Sequence, residues 1–558
     1  MPMLRTALFE DNHIHSTYSD GKLTIAEILE YNALHNRLDL TISDHVNMKT
    51  GWFPAYAKEI TELRRKYRDF QVRIGCEVKI LENGTLNTTR EILDAAETVI
   101  GSVHHFTGIK AMDKGELLEK EYELTKMLAR HPDVDVLGHP FSMCKRFYNL
   151  DAPKEYVEDV YAMCVKNGVK FEFNDKQSLG SIHTFVSDEI AKGNIHHFSF
   201  GSDLHELAEE LGDAAFALVA PITVLVTGAG AGVGQSILKA LKLSNVRTRI
   251  IAVDMDPLAA GLYRADAAHV IPAAKDPRYI ETLRKICMAE HVELLLIGTD
   301  VELEILARSR DEFEKETGAK IIVSHPDTIA IADDKWKTAE FLESHDLPFV
   351  RSALPDSVDD LIRDAGFPLA VKPRVGARSV GFQIVKDEKS LRTLLKTMKN
   401  AVVQEYLRDD DGEYTCGGFF YEGECYGVIS MQRWLRSGDT YKAIARRDPK
   451  MEKFIEEVGK KLKITGPCNF QLRKSGGTFK IFEINCRFSG TTGAASALGF
   501  NVVNVLLQKI FFDRPLRRLS FRESYIFRYW NEVLAPVAQA EAMMRGHAEK
   551  PQSFLNVF

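Results

Sequence analysis

His13 and His15, in the run DNHIHSTYSDG, lie two residues apart. On an extended strand that spacing turns both imidazoles to one face, where they can ligate one ion. Asp20 follows in the turn, then Asp44 and His45 in LTISDH, Glu77 in GCEVKI, His104 in GSVHHF and His139 in GHP. Asp203 and His205 in GSDLH repeat the spacing of the first pair. A carboxylate such as Glu77 or Asp203 can bridge two ions. Mixed imidazole and carboxylate donors suit zinc, manganese or iron better than magnesium alone. The chemistry this predicts is hydrolysis, because metal coordination lowers the pKa of water to about 7 and cations neutralise phosphoryl oxygens. A lone histidine at a strand end is ordinarily a hydrogen-bonded structural residue. H-x-H, D-H and D-x-H in one stretch are a different matter. Lys145 and Arg146, shortly after His139, are candidates for contacting substrate oxygens, although a Lys-Arg pair in a loop is usually solvated, and His105 is a candidate for orienting water or ester.

A second chemistry appears after residue 330. In FPLAVKPRVGARSVGFQIV, Lys372 ends a β-like run before a loop containing Gly376, Ser379 and Gly381. Such a loop can fold over a triphosphate with its backbone N–H groups, and Arg374 or Arg378 can meet the charge. Further on, GPCNFQLRKSGGTFKIFEINCRFSG carries Gln471, Glu483 and Asn485, oxygen donors of the kind magnesium takes when it also bridges phosphates. Arg487 is placed to reach a phosphate or a substrate carboxylate.

The elements that must position these groups follow from periodicity. Up to about residue 215, short β-like runs (LDLTISDH, FQVRIGCEVKI, TVIGSVHHF, VDVLGHP, VKFEFND, HHFSFGSD) alternate with amphipathic stretches such as TIAEILEYNALHNR. Each run ends in a potential metal ligand, and the carboxyl ends of parallel strands are where α/β active sites collect. The pattern restarts at ITVLVTGAGAGVGQS, a strand, glycine turn and helix. Its alternating Gly228, Gly230, Gly232 and Gly234 are not a strict dinucleotide fingerprint, and Asp254 fits either a ribose or a helix cap. From about residue 333 the runs pair in an α+β manner. The expected divisions are 1–217, 222–332, 333–520 and a closing segment 521–558.

At 558 residues the chain exceeds one core. It is 45% hydrophobic and 27% charged with net charge −7, so sequence-independent nucleic-acid binding is not expected. No apolar run approaches the roughly 20 residues that span a bilayer. The first residues lack a charged-then-apolar signal, which makes a cytoplasmic location the expectation. Eight cysteines without a C-x-x-C pair argue against a disulfide framework or a thiolate zinc site. Twelve of the seventeen histidines precede residue 206, so two chemistries are divided between two halves.

The order H-x-H-x4-D, S-D-H, G-x-E, S-V-H, G-H-P and S-D-x-H resembles the polymerase and histidinol phosphatase (PHP) family over about residues 9–210. That resemblance implies a distorted (β/α)7 barrel holding three divalent metal ions. It groups His13, His15, Glu77 and Asp203 around one ion, Glu77, His104 and His139 around a second, and Asp20, His45 and His205 around a third. The later motifs resemble the ATP-grasp superfamily, in particular carbamoyl-phosphate-synthase-like carboxylate–amine ligases. This implies ATP and Mg2+ as cofactors, Lys335 and Lys372 at the nucleotide phosphates, Glu405 and Leu407 at the adenine edge, Glu413 at the ribose, and Gln471, Glu483 and Asn485 at magnesium. Residues 222–332 then resemble the Rossmann-like pre-ATP-grasp domain. Cys486 stands where the family commonly has proline, and the acidic run DDDG lengthens the approach to Glu413.

The fold class expected is therefore multidomain α/β. The function expected is bifunctional, a phosphoesterase using Mn2+, Zn2+ or Fe2+ joined to a ligase in one small-molecule pathway. Catalytic roles fall to Arg487, Lys372 and Arg374. The partners expected are a small carboxylate, an amine and a phosphate ester, with no nucleic acid or membrane and with a homo-oligomer compatible. Two alternatives stay open: an ATP-grasp half that senses nucleotide and regulates the hydrolase, and a first half that is a nuclease.

Overall fold

The computed structural model describes residues 9–36, 38–68, 70–206, 211–212, 220–376, 381–398, 400–408, 412–436, 438–529 and 531–546. The chain divides into two compact units, Met1–Ala220 with Phe512–Arg514, and Pro221–Phe511 with Pro515–Phe558.

The first unit is built on β1 (Glu10–Ile14), β2 (Asp39–Ile42), β3 (His45–Val46), β4 (Val72–Lys79), β5 (Thr98–Ser102), β6 (Val136–Leu137), β7 (Lys170–Phe173) and β8 (Phe198–Phe200). They hydrogen-bond in the order β1-β2-β4-β5-β6-β7-β8, all parallel, with the two-residue β3 also pairing β4. A parallel bridge between Ile14 and Leu204, just past β8, brings the ends of the sheet together, so the seven strands form a nearly closed, distorted β/α barrel. These strands read as apolar runs because both faces are covered: Ile42, Val78, Phe171 and Phe173 are all fully buried. Crossover helices follow from local signals. Ile25–Tyr31 (α1) begins at a capping box made by Thr24 and Glu27, and Ser142–Tyr148 (α2) follows β6 directly.

The second unit opens with a five-stranded parallel sheet of order β11-β10-β9-β12-β13, made of Ile222–Val226 (β9), Thr248–Asp254 (β10), Ala267–Val270 (β11), Leu294–Leu296 (β12) and Lys320–Ile321 (β13). Between β9 and β10 runs Gly232–Lys242 (α3). This is the Rossmann-like arrangement expected. Two antiparallel sheets follow, reached through Lys335–Ser344 (α4), which Asp334 caps. The four-stranded sheet has the order β14-β17-β15-β16, from Ser352–Ala353 (β14), Leu369–Pro373 (β15), Gln383–Val385 (β16) and Ala401–Glu405 (β17). The six-stranded sheet has the order β22-β21-β18-β19-β20-β23, from Glu413–Tyr421 (β18), Glu424–Arg436 (β19), Asp439–Ala445 (β20), Gly466–Ser475 (β21), Thr478–Asn485 (β22) and Ser524–Phe527 (β23). One apolar core, from Leu225 and Tyr279 to Phe420, Phe470 and Ile481, is continuous beneath the parallel and six-stranded sheets. A smaller core around Leu369, Val371 and Val403 holds the four-stranded lobe. No helix among the described residues is long and apolar enough to cross a membrane.

Candidate metal centre and nucleotide cavity

In the first unit the nine side chains singled out from the sequence converge at the carboxyl ends of the barrel strands. Glu77 is the hub. Its Oε1 lies 2.9 Å from His104 Nε2 and 3.0 Å from His139 Nε2. Its Oε2 lies 2.9 Å from His45 Nδ1, 3.3 Å from His13 Nε2 and 3.5 Å from His15 Nε2. Asp203 Oδ1 approaches His15 Nε2 at 3.2 Å, and Asp20 Oδ2 lies 3.4 Å from Nε2 of both His45 and His205. Ligand atoms fall within 4.8 Å of one another in four overlapping sets: His15, Asp20, His45 and His205; His13, His15 and Asp203; His13, Glu77 and His139; and His45, Glu77 and His104.

Burial decides what such a cluster is for. His13 Nε2, both ring nitrogens of His15 and Glu77 Oε2 are buried with no hydrogen-bond partner. Lone pairs left unused in a protein interior are costly unless something positive occupies the space between them. The donor set, imidazole nitrogen and carboxylate oxygen, fits divalent metal ions. Electrostatics agree with dense packing of opposite charge. Burial pushes the Glu77 carboxyl up, but His104, His13 and His45 outweigh it and hold it well below the usual range. Hydrogen bonds from His205 and His45 hold Asp20 low as well.

The backbone is bent to serve the cluster. His139 (φ 22°) and Asp203 (φ 53°) occupy left-handed conformations that side chains other than glycine rarely adopt, a strain that persists at functional sites. Asp44, named with His45 in the sequence, turns away from the cluster. It is fully buried and accepts from Ser16 N (2.9 Å), Ser16 Oγ (2.7 Å), Ser19 N (3.0 Å) and Ser19 Oγ (2.6 Å), clamping the loop that presents Asp20.

Seven of the nine line a cavity of about 480 Å3, while His13 and His15 lie behind it. Lys145, Arg146, Asn149 and Gln177 form its other wall, and Gln177 donates to Asp203 Oδ2 at 3.2 Å. Lys145 also donates to the carbonyls of Lys176 and Ser178, which ties α2 to the loop after β7. His105 is exposed and is not part of the cavity wall. Sequence reading missed Glu172, on β7 and 1% exposed. Its Oε1 lies 2.6 Å from His13 Nδ1, and its Oε2 accepts the backbone N–H of His139. The signal available was a charged residue inside the apolar run VKFEFND.

In the second unit a cavity of about 300 Å3 opens between the four-stranded and six-stranded sheets. Lys335, Lys372, Gly376, Glu405, Leu407, Glu413, Gln471 and Glu483 all line it. Lys335 Nζ donates to the carbonyl of Gly376 at 2.8 Å and so pins the loop after β15 to α4. Lys372 is held down to about 7, chiefly by burial and then by the neighbouring Lys335 charge. Gln471 and Asn485 donate to Glu483 Oε1 at 3.2 and 3.1 Å, which gathers the three expected magnesium donors on one carboxylate. Gly381, Arg374, Asn485 and Arg487 are not in the cavity wall. Arg374 pairs with Asp334 Oδ2 at 2.6 Å, joining β15 to the cap of α4. Arg487 pairs with Asp300 Oδ2 at 2.7 Å, at the carboxyl side of the parallel sheet, and its Nε is buried without a hydrogen-bond partner. Arg378 and Ser379 lie outside the described residues.

Two arginines invisible as a motif dominate this cavity. Arg433 and Arg473 stand directly opposite Glu413 on the flanking strands β19 and β21. Arg433 reaches Glu413 Oε1 (2.6 Å) and Gln471 Oε1 (2.7 Å); Arg473 reaches Glu413 Oε2 (2.7 Å) and the Leu407 carbonyl (2.6 Å). Glu405 is likewise held by Arg351 and Lys480. The glycine turn of the parallel sheet is explained by packing. Asp254 Oδ2 accepts from Gly230 N at 2.7 Å, so the loop itself uses this carboxylate. A Cβ on Gly234 would sit 2.2 Å from the Gly228 carbonyl oxygen.

Comparison with known proteins covers both units. Residues 11–176 match the PHP domain, 224–322 the PylC-like N-terminal domain, and 397–529 the ATP-grasp in the biosynthetic pathway with Ter operon. The DNA polymerase/3'-5' exonuclease PolX of Bacillus subtilis is 29% identical over 137 residues, 23% of this chain and 23% of its own length. The mitochondrial carbamoyl phosphate synthase arginine-specific large chain of Neurospora crassa is 23% identical over 284 residues, 47% of this chain and 24% of its own. The carbamoyl phosphate synthase large chain of Archaeoglobus fulgidus is 24% identical over 235 residues, 38% and 21% respectively. The chain thus spans about a quarter or less of the length of these curated relatives. Among solved structures, N5-carboxyaminoimidazole ribonucleotide synthetase from Thermus thermophilus is 15% identical with a TM-score of 0.43, covering 56% of this chain and 85% of that one.

Proposed function

For this chain, which joins a PHP domain to an ATP-grasp domain, we propose two metal-dependent activities on one small-molecule route: hydrolysis of a phosphate ester in the first unit and carboxylate–amine ligation in the second. The observation that carries the first is Glu77 with five imidazoles within 3.5 Å and buried lone pairs left without partners. The nine residues would hold three divalent ions, which when bound supply hydroxide near neutral pH and neutralise phosphoryl charge. His13, His15, Glu77 and Asp203 serve one ion, Glu77, His104 and His139 a second, and Asp20, His45 and His205 the third. Lys145 and Arg146 on the cavity wall face the oxygens of the ester.

The ligase reading rests on the second cavity. Lys335 and Lys372 meet the nucleotide phosphates, Glu405 and Leu407 the base edge, and Glu413 the ribose, while Gln471, Glu483 and Asn485 hold magnesium. A substrate carboxylate takes the γ-phosphoryl group and ADP leaves. An amine then attacks the acyl carbon, forming the amide and releasing inorganic phosphate. The fixed charges of this wall stabilise the phosphoryl group in flight. We assign Arg487, held by Asp300 outside the wall of that cavity, to the substrate carboxylate.

Two assays test the proposal on the full chain. Hydrolysis of small phosphate esters with Mn2+ should be abolished by chelation and by Asp203→Ala; intact esters with every metal tried would overturn the first half. ADP release should require both an acid and an amine and should disappear in Glu483→Ala. ATP binding without ADP release would favour the sensor. The B. subtilis relative's name favours a second reading, a 3'-5' exonuclease in the first unit. Shortening of labelled single-stranded DNA at the rate of ester cleavage would select it.

A further inference from the structure

Glu172 belongs to none of the four ligand sets and does not line the cavity, yet it touches two of the nine residues from behind. Its carboxylate is divided. Oε1 lies 2.6 Å from His13 Nδ1, and Oε2 accepts the main-chain N–H of His139. With Nδ1 turned to Glu172, the His13 ring presents its other nitrogen, Nε2, to the cluster. That Nε2 is among the buried atoms without a hydrogen-bond partner. At the other end, the bond to His139 N fixes a residue whose φ of 22° is strained, and whose Nε2 stands 3.0 Å from Glu77 Oε1. Ser142 Oγ, 3.0 Å from His139 Nδ1, holds the far side of that ring.

The neighbouring strand is shaped around this contact. A Cβ on Gly201 would lie 2.4 Å from Glu172 Oε1 and 2.4 Å from the His13 Cβ. Neither can retreat in a packed interior, since Glu172 is 1% and His13 0% exposed. Glycine at 201 is therefore what lets strand β8 close over the Glu172–His13 pair.

We propose that Glu172 is a positioning residue that couples two metal positions of the cluster, setting the angle of His13 while anchoring the main chain of His139. This inference rests on the metal-dependent reading of the first unit. Outer carboxylates that orient a ligating histidine typically contribute about 10–100-fold in metal affinity or activity.

The test is Mn2+ binding to the full chain, as ions per chain after desalting and as affinity by competition with a chelator. In Glu172→Gln the amide keeps the volume but loses the charge and one acceptor oxygen. Mn2+ affinity should fall about 10–100-fold, with loss of up to two ions. Gly201→Ala attacks the same contact from the other strand and should give the same loss, so the idea stays testable if one variant does not fold. Glu189→Gln, which removes an 8%-exposed carboxylate bonded to Lys192 and Asn194, controls for the loss of buried charge and should bind Mn2+ like the parent. Wild-type affinity in folded Glu172→Gln or Gly201→Ala, or an equal loss in Glu189→Gln, would overturn the inference alone. A parent chain that binds no Mn2+ would instead overturn the metal reading beneath it.

Discussion

Lys372 offers the sharpest quantitative test. In the ligand-free cavity its ammonium is held down to about 7, by burial first and by the Lys335 charge second, against the pull of Glu483. An ATP triphosphate placed beside it restores the charged form. Binding above that pKa must therefore take up a proton. If the complexed lysine returns to its ordinary value near 10.4, linkage makes ATP binding about 50-fold weaker at pH 9 than at pH 7, approaching tenfold per unit. The sign for folding is separate. Below about pH 7 the charged lysine must be buried in the native state, so its destabilisation is fully present there, and it fades as pH rises toward the unfolded value. Lys372→Met should consequently stabilise the ligand-free protein most at or below neutral pH while flattening the pH profile of ATP affinity. Calorimetric titration with a non-hydrolysable ATP analogue, in buffers of different ionisation enthalpy, counts the protons directly. A flat affinity between about pH 7 and 9 in the parent, or the same slope in Lys372→Met, refutes the reasoning.

The other predictions concern residues whose work is to hold others. Asp44→Asn replaces one accepting oxygen of the clamp on Ser16 and Ser19 by a donor, so the loop bearing Asp20 should loosen. Mn2+ content should drop by one ion per chain and ester hydrolysis by about 10–100-fold, measured together; unchanged metal content would show the clamp to be dispensable. Glu413→Gln leaves Arg433 and Arg473 facing each other without their shared carboxylate. The three groups are half-buried, so the cost should be less than the roughly 3–5 kcal/mol of a fully buried pair, yet it should shift the urea transition of the second unit and spare that of the first. An unmoved transition would mean that the arginines find other partners.

Much of the site was legible because metal chemistry restricts residue types. His, Asp and Glu are the common donors for such ions, and barrel strands deliver them at their carboxyl ends, so residue type and order, read with the PHP resemblance, singled out nine residues that the structure brings together. Magnesium's preference for oxygen donors made Gln471, Glu483 and Asn485 stand out: Glu483 and Asn485 alternate on β22 and share a face, and Gln471 stands opposite Glu483 on the neighbouring β21. Arg374 is the instructive contrast. Its place in a glycine-rich loop suggested a phosphate contact, and the structure gives its guanidinium to Asp334 instead, a choice settled by which helix cap lies beside the loop.

What the sequence by itself determined, then, is the alternation of elements, the resemblance of each half to a known domain, and the residue types able to bind metal or nucleotide. Tertiary structure decided which atoms meet. Glu172 and His13 are 159 residues apart, and their contact exists only because parallel strands place their ends in one plane. Arg433 and Arg473 are mere cations in the chain, and become the clamp on Glu413 once antiparallel register sets all three in a row. Asp44 and His45 are adjacent, yet one faces the cluster and the other its supporting loop, because successive side chains of extended backbone point to opposite sides.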